Sequence, residues 1–250
     1  MNPSDVLTPQ VSVLLPAYNA EAFLARAIHS VRNQSLSNWE LLIVDDGSVD
    51  GTAALAKAEA ERDPRVFAYS SQRNMGAAAA RNLALKHARG RYIAFIDADD
   101  EWLPQKLEAQ LAHLQETGAS FGYCGFWRVI NGQRRRINVP QQVTRDQLLY
   151  GNVIGCLTAI YDSAVLGKTR MPDFELSHDY ALWLDLLKQG PAVGIDRPLA
   201  IYHRQKRSLS SNAWRSAKGT WEIYREYLQM PRHEAAYCIS AHLLRRVFRG

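Results

Sequence analysis

Short apolar strands alternate with helical segments through the first hundred residues of the chain. Apolar runs predict strands over 11–15, 40–44, 66–70 and 92–96. Between them, apolar side chains at helical spacing predict helices over 20–31, 52–62 and 76–88. Strands that alternate with helices form a parallel, doubly wound sheet. Because such sheets bind ligands at the carboxyl ends of their strands, the residues that follow each strand are candidates for a site.

Three carboxylates, Asp97, Asp99 and Asp100, follow the fourth strand within four residues. Asp97 and Asp99 are two apart, so they share a face in extended backbone. Oxygen ligands at this spacing suit Mg²⁺ or Mn²⁺. The alternative is a solvated acidic turn that caps the helix starting near Pro104, a role that suits Asp100 best. Spacing alone leaves both readings open.

Polar residues also follow the first two strands. Pro16-Ala17-Tyr18-Asn19 ends the first strand, and Asp45-Asp46 ends the second. A carboxylate at the second position could accept hydrogen bonds from a base or a ribose. In isolation, the same pair is typical of a turn around Gly47.

Three further segments carry candidate side chains. Gly76 opens a helix, whose N-terminus favours an anion, and Arg81 could reach a phosphate or a base edge or simply lie on the surface. Asp179 stands near the start of another helix, as its cap or as a general base. The basic cluster over 202–207 is either a solvated loop or a flap over phosphates.

The second half of the chain predicts a mixture of elements. A helix is expected from Pro104 to 117, and a hairpin turns at Asn131-Gly132 between strands over 121–130 and 134–139. Further strands are expected over 157–161 and 199–203, with helices over 144–150, 179–188 and, broken at Pro231, 213–250.

Bulk properties restrict the class of protein. The chain has 250 residues, of which 47% are hydrophobic and 22% charged, as in ordinary globular proteins. No apolar run is long enough to span a bilayer, and the polar N-terminus lacks a signal-peptide core, so we expect a cytoplasmic protein. The three cysteines suit a reduced compartment. The basic excess lies in the last fifty residues, with ten Lys or Arg against three Asp or Glu.

Together these segments resemble the family 2 nucleotide-sugar glycosyltransferases, which are inverting enzymes of the GT-A fold. The resemblance covers about residues 11–210. It is carried by Val11 through Asn19, Val44-Asp45-Asp46-Gly47-Ser48, Gly76 through Asn82, Gly90 through Trp102, and Pro104 through Glu108. Their order and spacing together are highly specific.

The resemblance implies a role for each candidate residue. Pro16, Tyr18 and Asp46 would line the nucleobase pocket, with Asp45 and Arg81 nearby. Asp99 would ligate Mn²⁺ or Mg²⁺, and Asp97 would serve the ribose or the metal. Asp179 would be the catalytic base. The remaining donor-binding residues would be Ala17, Asn19, Gly76 and His203. UDP is the expected nucleotide, with GDP and dTDP open.

Two positions depart from the family pattern. His178 stands where the family often has Glu before the base, and a protonated His178 would make Asp179 a weaker base, so we expect activity to fall as His178 protonates. Gln205 stands where the family often has a histidine. His203 would then take over the phosphate or metal contact, or that contact would be absent.

The implied fold is a Rossmann-like, mostly parallel sheet with helices on both faces, a smaller acceptor-side region and C-terminal helices. Residues 1–120 would bind the nucleotide sugar, 121–210 would hold the acceptor and the base, and 211–250 would form a helical extension. The implied reaction is metal-dependent transfer of a sugar to a hydroxyl of a glycan or lipid-linked glycan, in surface polysaccharide synthesis.

Other readings stay open on sequence grounds. A nucleotidyltransferase also pairs acidic ligands with an α/β sheet, but it usually has a Gly-rich basic loop after the first strand. A non-catalytic nucleotide-sugar binder would tolerate loss of Asp179. Nucleic-acid binding matches no motif here, so we expect none. The basic amphipathic segment 235–248 suits either peripheral contact with the cytoplasmic face of a membrane or packing on the enzyme or in a homodimer.

Overall fold

The computed structural model describes residues 8–204 and 213–249, and the side chains of 213, 214 and 243–249 lie outside that description. Ten strands of the described chain form one mixed sheet. They are β1 (Val11–Ala17), β2 (Trp39–Asp45), β3 (Val66–Ser70), β4 (Tyr92–Phe95), β5 (Glu101–Trp102), β6 (Phe121–Ile130), β7 (Gln133–Ile137), β8 (Gln142–Val143), β9 (Ile160–Asp162) and β10 (Ala192–His203). The sheet order is β3-β2-β1-β4-β9-β6-β10-β5, with β7 beside β6 and β8 beside β10.

Helices flank this sheet and complete an α/β architecture. They are α1 (Glu21–Arg32), α2 (Thr52–Arg62), α3 (Ala77–His87), α4 (Lys106–Thr117), α5 (Arg145–Leu149), α6 (Ser163–Leu166), α7 (His178–Leu186), α8 (Ala213–Glu222) and α9 (Arg232–Arg249). A 3₁₀ turn spans Cys156–Thr158, and a π-helical turn spans Ile223–Tyr227. Two buried apolar clusters pack the helices onto the sheet.

The first four strands are parallel, as their alternation with helices predicts. β1, β2 and β4 are buried almost throughout, which is why they read as continuous apolar runs, whereas β3 is a half-buried edge strand. This half of the sheet places the carboxyl ends of β1, β2 and β4 side by side. The predicted α/β fold is confirmed.

In the second half of the sheet two predicted strands have other bounds, and the short strands β5 and β8 were not predicted. The strand predicted over 157–161 is a 3₁₀ turn followed by β9, which runs antiparallel to its neighbours β4 and β6. The strand predicted over 199–203 is only the end of β10, which starts at Ala192. Pro198 conceals the continuity, because the register shifts on both sides of it, and such bulges are where a strand tolerates proline.

The C-terminal helices pack against α7 through buried tyrosines. The Tyr180 hydroxyl lies 3.0 Å from the Tyr224 hydroxyl and donates to the Leu148 carbonyl at 3.1 Å. Tyr224 in turn donates to the Leu149 carbonyl at 2.5 Å. Within the described residues, no helix combines the length and apolar character needed to cross a membrane.

The buried tyrosine pair predicts a stability effect. We expect Tyr224→Phe to lower the free energy of unfolding by about 1–3 kcal/mol, because a buried hydroxyl network loses a partner. Urea denaturation followed by circular dichroism measures this change. Tyr237→Phe is the matched control, since Tyr237 is 68% exposed. Equal unfolding midpoints for the two variants would show that the pair contributes nothing.

Candidate active site

The carboxyl ends of β1, β2 and β4 meet at one edge of the sheet. Ala17 pairs with Asp45, and Leu14 pairs with Phe95. The Asp46 amide donates to the Ala17 carbonyl at 2.8 Å, and the Ile96 amide donates to the Leu14 carbonyl at 3.1 Å. The candidate segments after these strands therefore start from neighbouring positions.

Asp46 fixes the loop that leads into α3. Its carboxylate accepts hydrogen bonds from the Met75 amide at 3.0 Å and the Gly76 amide at 2.7 Å. Gly47 has φ 72°, and a Cβ there would lie 2.6 Å from the backbone carbon of Arg73, so only glycine fits beside this loop. Asp46 thus holds a distant loop and not the turn around Gly47, and its donor-binding role stays a prediction.

Asp45 retains an unused oxygen. Its Oδ2 accepts from the Ser48 amide at 3.4 Å, whereas Oδ1 is buried without a hydrogen-bond partner among the described residues. Buried polar atoms are rarely left unpaired, so this atom is a candidate for a ligand contact.

The loop after β1 is pinned by its own side chains. Asn19 has φ 47°, a left-handed conformation that asparagine tolerates. The Asn19 backbone amide donates to Ser48 Oγ at 2.9 Å, and the Asn19 side-chain Oδ1 accepts from the Val49 backbone amide at 3.0 Å. The Tyr18 ring is 48% exposed, while Pro16 and Ala17 belong to β1 itself.

The acidic segment after β4 concentrates charge in a partly buried space. Burial, and then Asp97, raise the pKa of Asp99 to about 6. Burial, with Asp97 and Asp99, also raises the pKa of Asp100 well above its usual range. Asp100 is not the helix cap that its spacing suggests. Its Oδ1 accepts from the His203 amide at 3.0 Å, and α4 starts at Lys106 without a side-chain cap.

These carboxylates suit a cation that is shared with a ligand. Asp100 Oδ2 is buried and unpartnered among the described residues. Over the same residues, no three His, Cys, Asp or Glu side chains form a ready metal cage. Mg²⁺ rarely uses such a cage, because it binds through one or two carboxylates together with substrate phosphates and water. Asp97 and Asp99 fit that pattern.

Arg81 is buried and contacts both Asp97 and His178. The alternative that it lies on the surface is wrong. Only 5% of its side chain is exposed, and its guanidinium forms an ion pair with Asp97. Its Nη1 also lies 2.7 Å from His178 Nε2. Burial lowers the pKa of Arg81, but the effects of Asp97, Cys156 and Asp179 outweigh it. The net pKa is raised, so the group stays charged. Arg81 therefore joins the acidic segment to the start of α7.

His178 is held as a neutral imidazole. Its Nδ1 donates to the Phe174 carbonyl at 3.2 Å, which leaves Nε2 to accept from Arg81, since arginine has no acceptor. Burial and the Arg81 charge lower the pKa of His178, although Asp179 opposes them. His178 is therefore protonated only at a lower pH than an ordinary histidine.

Asp179 lies in the first turn of α7 and is not its cap. Ser177, with φ 60°, precedes the helix. Asp179 Oδ1 accepts from the Tyr180 amide at 2.8 Å, and its side chain is partly buried. The preceding residue, His178, contacts Arg81, and Arg81 contacts Asp97, so the start of α7 is joined to the acidic segment.

His203 meets the acidic segment through a residue that the sequence did not single out. Its Nε2 lies 2.6 Å from Glu101 Oε1, and Arg26 forms an ion pair with Glu101 at 3.3 Å. Arg26 Nη2 also donates to the Asp99 carbonyl at 2.8 Å. Nothing in the spacing of α1 marks Arg26 for this role. Residues 202–204 of the flap predicted over 202–207 are described, whereas its residues 205–207, Gln205 among them, lie outside the described residues.

The His178 geometry predicts how activity depends on pH. The pKa of His178 is lower in the folded protein than in an unfolded chain, so the contact with Arg81 is intact above about pH 6.5 and is lost as pH falls. We expect kcat/KM to gain an acid limb of up to about tenfold per pH unit below that range. His178→Gln, which can accept from Arg81 but does not titrate, is expected to lose this limb.

Steady-state pH profiles with a saturating metal test this expectation. His233→Gln is the control, because His233 is an exposed residue of α9. An acid limb that is the same in wild type and His178→Gln would mean that a group other than His178 sets it.

Comparisons with known proteins now bear on this geometry. A sequence profile described as Glycosyl transferase family 2 matches residues 12–167. The chain is 40% identical to TuaG of Bacillus subtilis (strain 168), assigned as a teichuronic acid biosynthesis glycosyltransferase, over 92% of this chain and 93% of that protein. It is 36% identical to the UDP-Glc:alpha-D-GlcNAc-diphosphoundecaprenol beta-1,3-glucosyltransferase WfgD of Escherichia coli, over 92% of this chain and 91% of that protein.

Solved structures share the fold. S. aureus TarS 1-349 in complex with UDP-GlcNAc has a TM-score of 0.73 at 21% identity, over 94% of this chain and 71% of that one. The mannosyltransferase PcManGT from Pyrobaculum calidifontis, in complex with GDP-Man and Mn2+, has a TM-score of 0.68 at 20% identity, over 94% and 69%. At these identities the likeness concerns the fold alone, and it agrees with the expected GT-A architecture.

The resemblance noted in the sequence is thereby confirmed. The family profile spans more than half of the chain, and both relatives exceed 30% identity along more than nine tenths of their length. The chain is a glycosyltransferase and belongs to glycosyl transferase family 2.

Proposed function

We propose that this enzyme moves a sugar from a nucleotide diphosphate donor, a UDP-sugar first, to a hydroxyl of a lipid-linked glycan, as a step of surface polysaccharide synthesis. The observation that carries the proposal is the buried Arg81, which links the acidic segment to the helix of the candidate base. The names of two relatives support the setting, since one belongs to teichuronic acid biosynthesis and the other acts on a diphosphoundecaprenol-linked sugar.

On the donor side, the exposed Tyr18 ring and the unpaired Asp45 oxygen are the groups available to a nucleoside. The nearby Asp46 and Gly76 hold the loop that would close that side. Pro16, Ala17 and Asn19 shape the turn that presents Tyr18. His203 would act from the opposite side of the acidic segment, where it contacts Glu101.

Asp99 and Asp97 would hold the divalent metal, Mn²⁺ or Mg²⁺, that we propose as the cofactor. When bound, the metal would neutralise the diphosphate and make it a better leaving group. Asp97 already forms an ion pair with Arg81, whereas the Asp99 carboxylate forms none among the described residues and only feels the charge of Arg26. We therefore assign Asp99 as the principal ligand.

Asp179 would act as the general base. The acceptor hydroxyl oxygen attacks the anomeric carbon, and its proton passes to the Asp179 carboxylate. As the new C–O bond forms, the bond from the anomeric carbon to the diphosphate oxygen breaks, and the nucleoside diphosphate leaves with that electron pair. A single displacement inverts the anomeric carbon without a covalent sugar–enzyme intermediate.

We also propose three regions with boundaries at residues 120 and 210. The proposal includes a cytoplasmic location for the enzyme and formation of a homodimer. For the C-terminal helix α9, packing on the enzyme is better supported than contact with a membrane. In its described part, Ala235 and Cys238 are buried in the core. That supports packing on the enzyme for the first half of α9, and the side chains of 243–250 lie outside the description.

A donor screen tests the proposal. The full chain is incubated with UDP-, GDP- and dTDP-sugars and a polyprenyl-diphosphate-linked acceptor, with Mn²⁺ or with chelator, and products are read by mass spectrometry. We expect metal-dependent transfer from a UDP-sugar with inverted anomeric configuration. Turnover that survives the chelator would contradict the metal assignment, and no transfer from any nucleotide sugar would contradict the proposed reaction.

A further inference from the structure

The hairpin formed by β6 and β7 puts a basic strand at an edge of the sheet. Between Phe121 and Thr144 the chain has four arginines and no acidic residue. Three of them, Arg134, Arg135 and Arg136, are consecutive and exposed on β7. Among the described strands, β7 pairs with β6 alone. A row of positive charge therefore lies along an outer strand.

The hairpin has a defined shape. Its two-residue turn, Asn131-Gly132, has φ 50° and 80°, which is the pattern of a type I′ turn. Arg128 pairs with Arg135, while Arg134 and Arg136 pair with neighbouring positions of β6. Because side chains alternate between faces along a strand, arginines lie on both faces of the hairpin.

Beside Arg136, β10 carries one exposed residue of each charge. Arg136 Nη2 donates to the Asp196 carbonyl at 2.7 Å and lies 3.6 Å from the Asp196 carboxylate, which is itself exposed. The next residue, Arg197, adds another exposed positive charge. Positive charge on both faces of an edge strand suits an extended anionic surface better than one small ligand, which would need its cations to converge.

The position of the hairpin relates this surface to the site. Arg134 pairs with Val129, and Val129 pairs with His203 of β10. β10 in turn pairs with β5, where Glu101 contacts His203. Three strand spacings therefore separate β7 from the acidic segment, which is about 14 Å. A surface bound by the hairpin would lie beside the candidate active site.

We propose that the β6–β7 hairpin binds the anionic headgroups of a membrane surface and so sets the active site beside the bilayer. The inference rests on the proposed function in one respect, the lipid-linked acceptor, which such an orientation would deliver from the membrane. It assigns membrane contact to the hairpin, and it does not need the C-terminal helix.

Vesicle co-sedimentation of the full chain tests the inference. The probes are phosphatidylcholine vesicles with and without 25% phosphatidylglycerol, at low salt. We expect binding to the anionic vesicles only, weakened at least about tenfold by Arg134→Gln, Arg135→Gln and Arg136→Gln together. The matched control is Lys57→Gln, Lys86→Gln and Arg170→Gln, which removes the same charge from exposed residues elsewhere.

Each outcome is decisive. Equal weakening by both triple variants would show attraction through net charge alone and would overturn the inference. Unchanged binding in the hairpin variant would also overturn it, and self-association of that variant would then assign the arginines to protection of a sheet edge. Vesicle binding needs no turnover, so a failure of the proposed reaction leaves this test readable. With a short-chain, water-soluble acceptor, the hairpin variant is expected to keep wild-type kcat.

Discussion

Asp179→Asn is expected to lower kcat by about a hundredfold to ten-thousandfold, the contribution typical of a positioned general base. Asparagine has nearly the same shape, and its oxygen can still accept from the Tyr180 amide at the start of α7. It cannot take a proton from the acceptor hydroxyl. We therefore expect the fold and the donor affinity to stay close to wild type while turnover is lost.

The measurement is steady-state transfer with the donor identified by the screen, together with donor binding by calorimetry. Asp173→Asn is the matched control, since Asp173 is an exposed carboxylate six residues earlier. A kcat within threefold of wild type in Asp179→Asn would remove Asp179 from the chemistry and return it to a structural role in α7.

Asp99→Asn is expected to abolish metal-dependent turnover and, unusually for a buried position, to raise the melting temperature of the metal-free enzyme. Asp99 stands beside Asp97 and Asp100 in a partly buried group, where burial and mutual repulsion disfavour its charge. Removing that charge relieves the repulsion. It also removes the principal ligand that we assign to the metal.

Asp97→Asn is the informative contrast. Asp97 compensates the buried Arg81, so its neutralisation leaves a guanidinium without its carboxylate, and the melting temperature should fall. Mn²⁺-dependent donor binding and thermal melting distinguish the two variants. Full activity in Asp99→Asn, or the same thermal shift in both, would refute the division of roles between these carboxylates.

The parallel half of the fold was predictable because its information is local. β1, β2 and β4 are buried on both faces, β3 is a half-buried edge strand, and each of the four is an apolar run that a turn or helix follows, so local pattern locates it. β10 was only half predicted, because Pro198 and the register shifts around it interrupt the pattern. Strand order in the second half depends on long-range pairing, which no local pattern encodes.

The sequence predicted which residues form the candidate site better than it predicted the contacts between them. Motif order placed Asp45, Asp97, Asp99 and Asp179 among the candidates. It did not foresee that Arg81 would be buried between Asp97 and His178, or that Asp100 would accept from His203. Those contacts join elements up to a hundred residues apart, and Arg26, an ordinary helix arginine by its spacing, enters the site only through tertiary packing.

The place of β10 in the sheet has a consequence for synthesis. β10 is the last strand along the described chain, yet it lies between β6 and β5. While a ribosome is still translating the codons for residues 192–203, one edge of β6 has no partner. Open strand edges invite pairing with other chains, so the nascent enzyme is exposed to aggregation until β10 leaves the exit tunnel. The rate of translation across this stretch, and chaperones that cover it, then govern how much active enzyme a cell obtains.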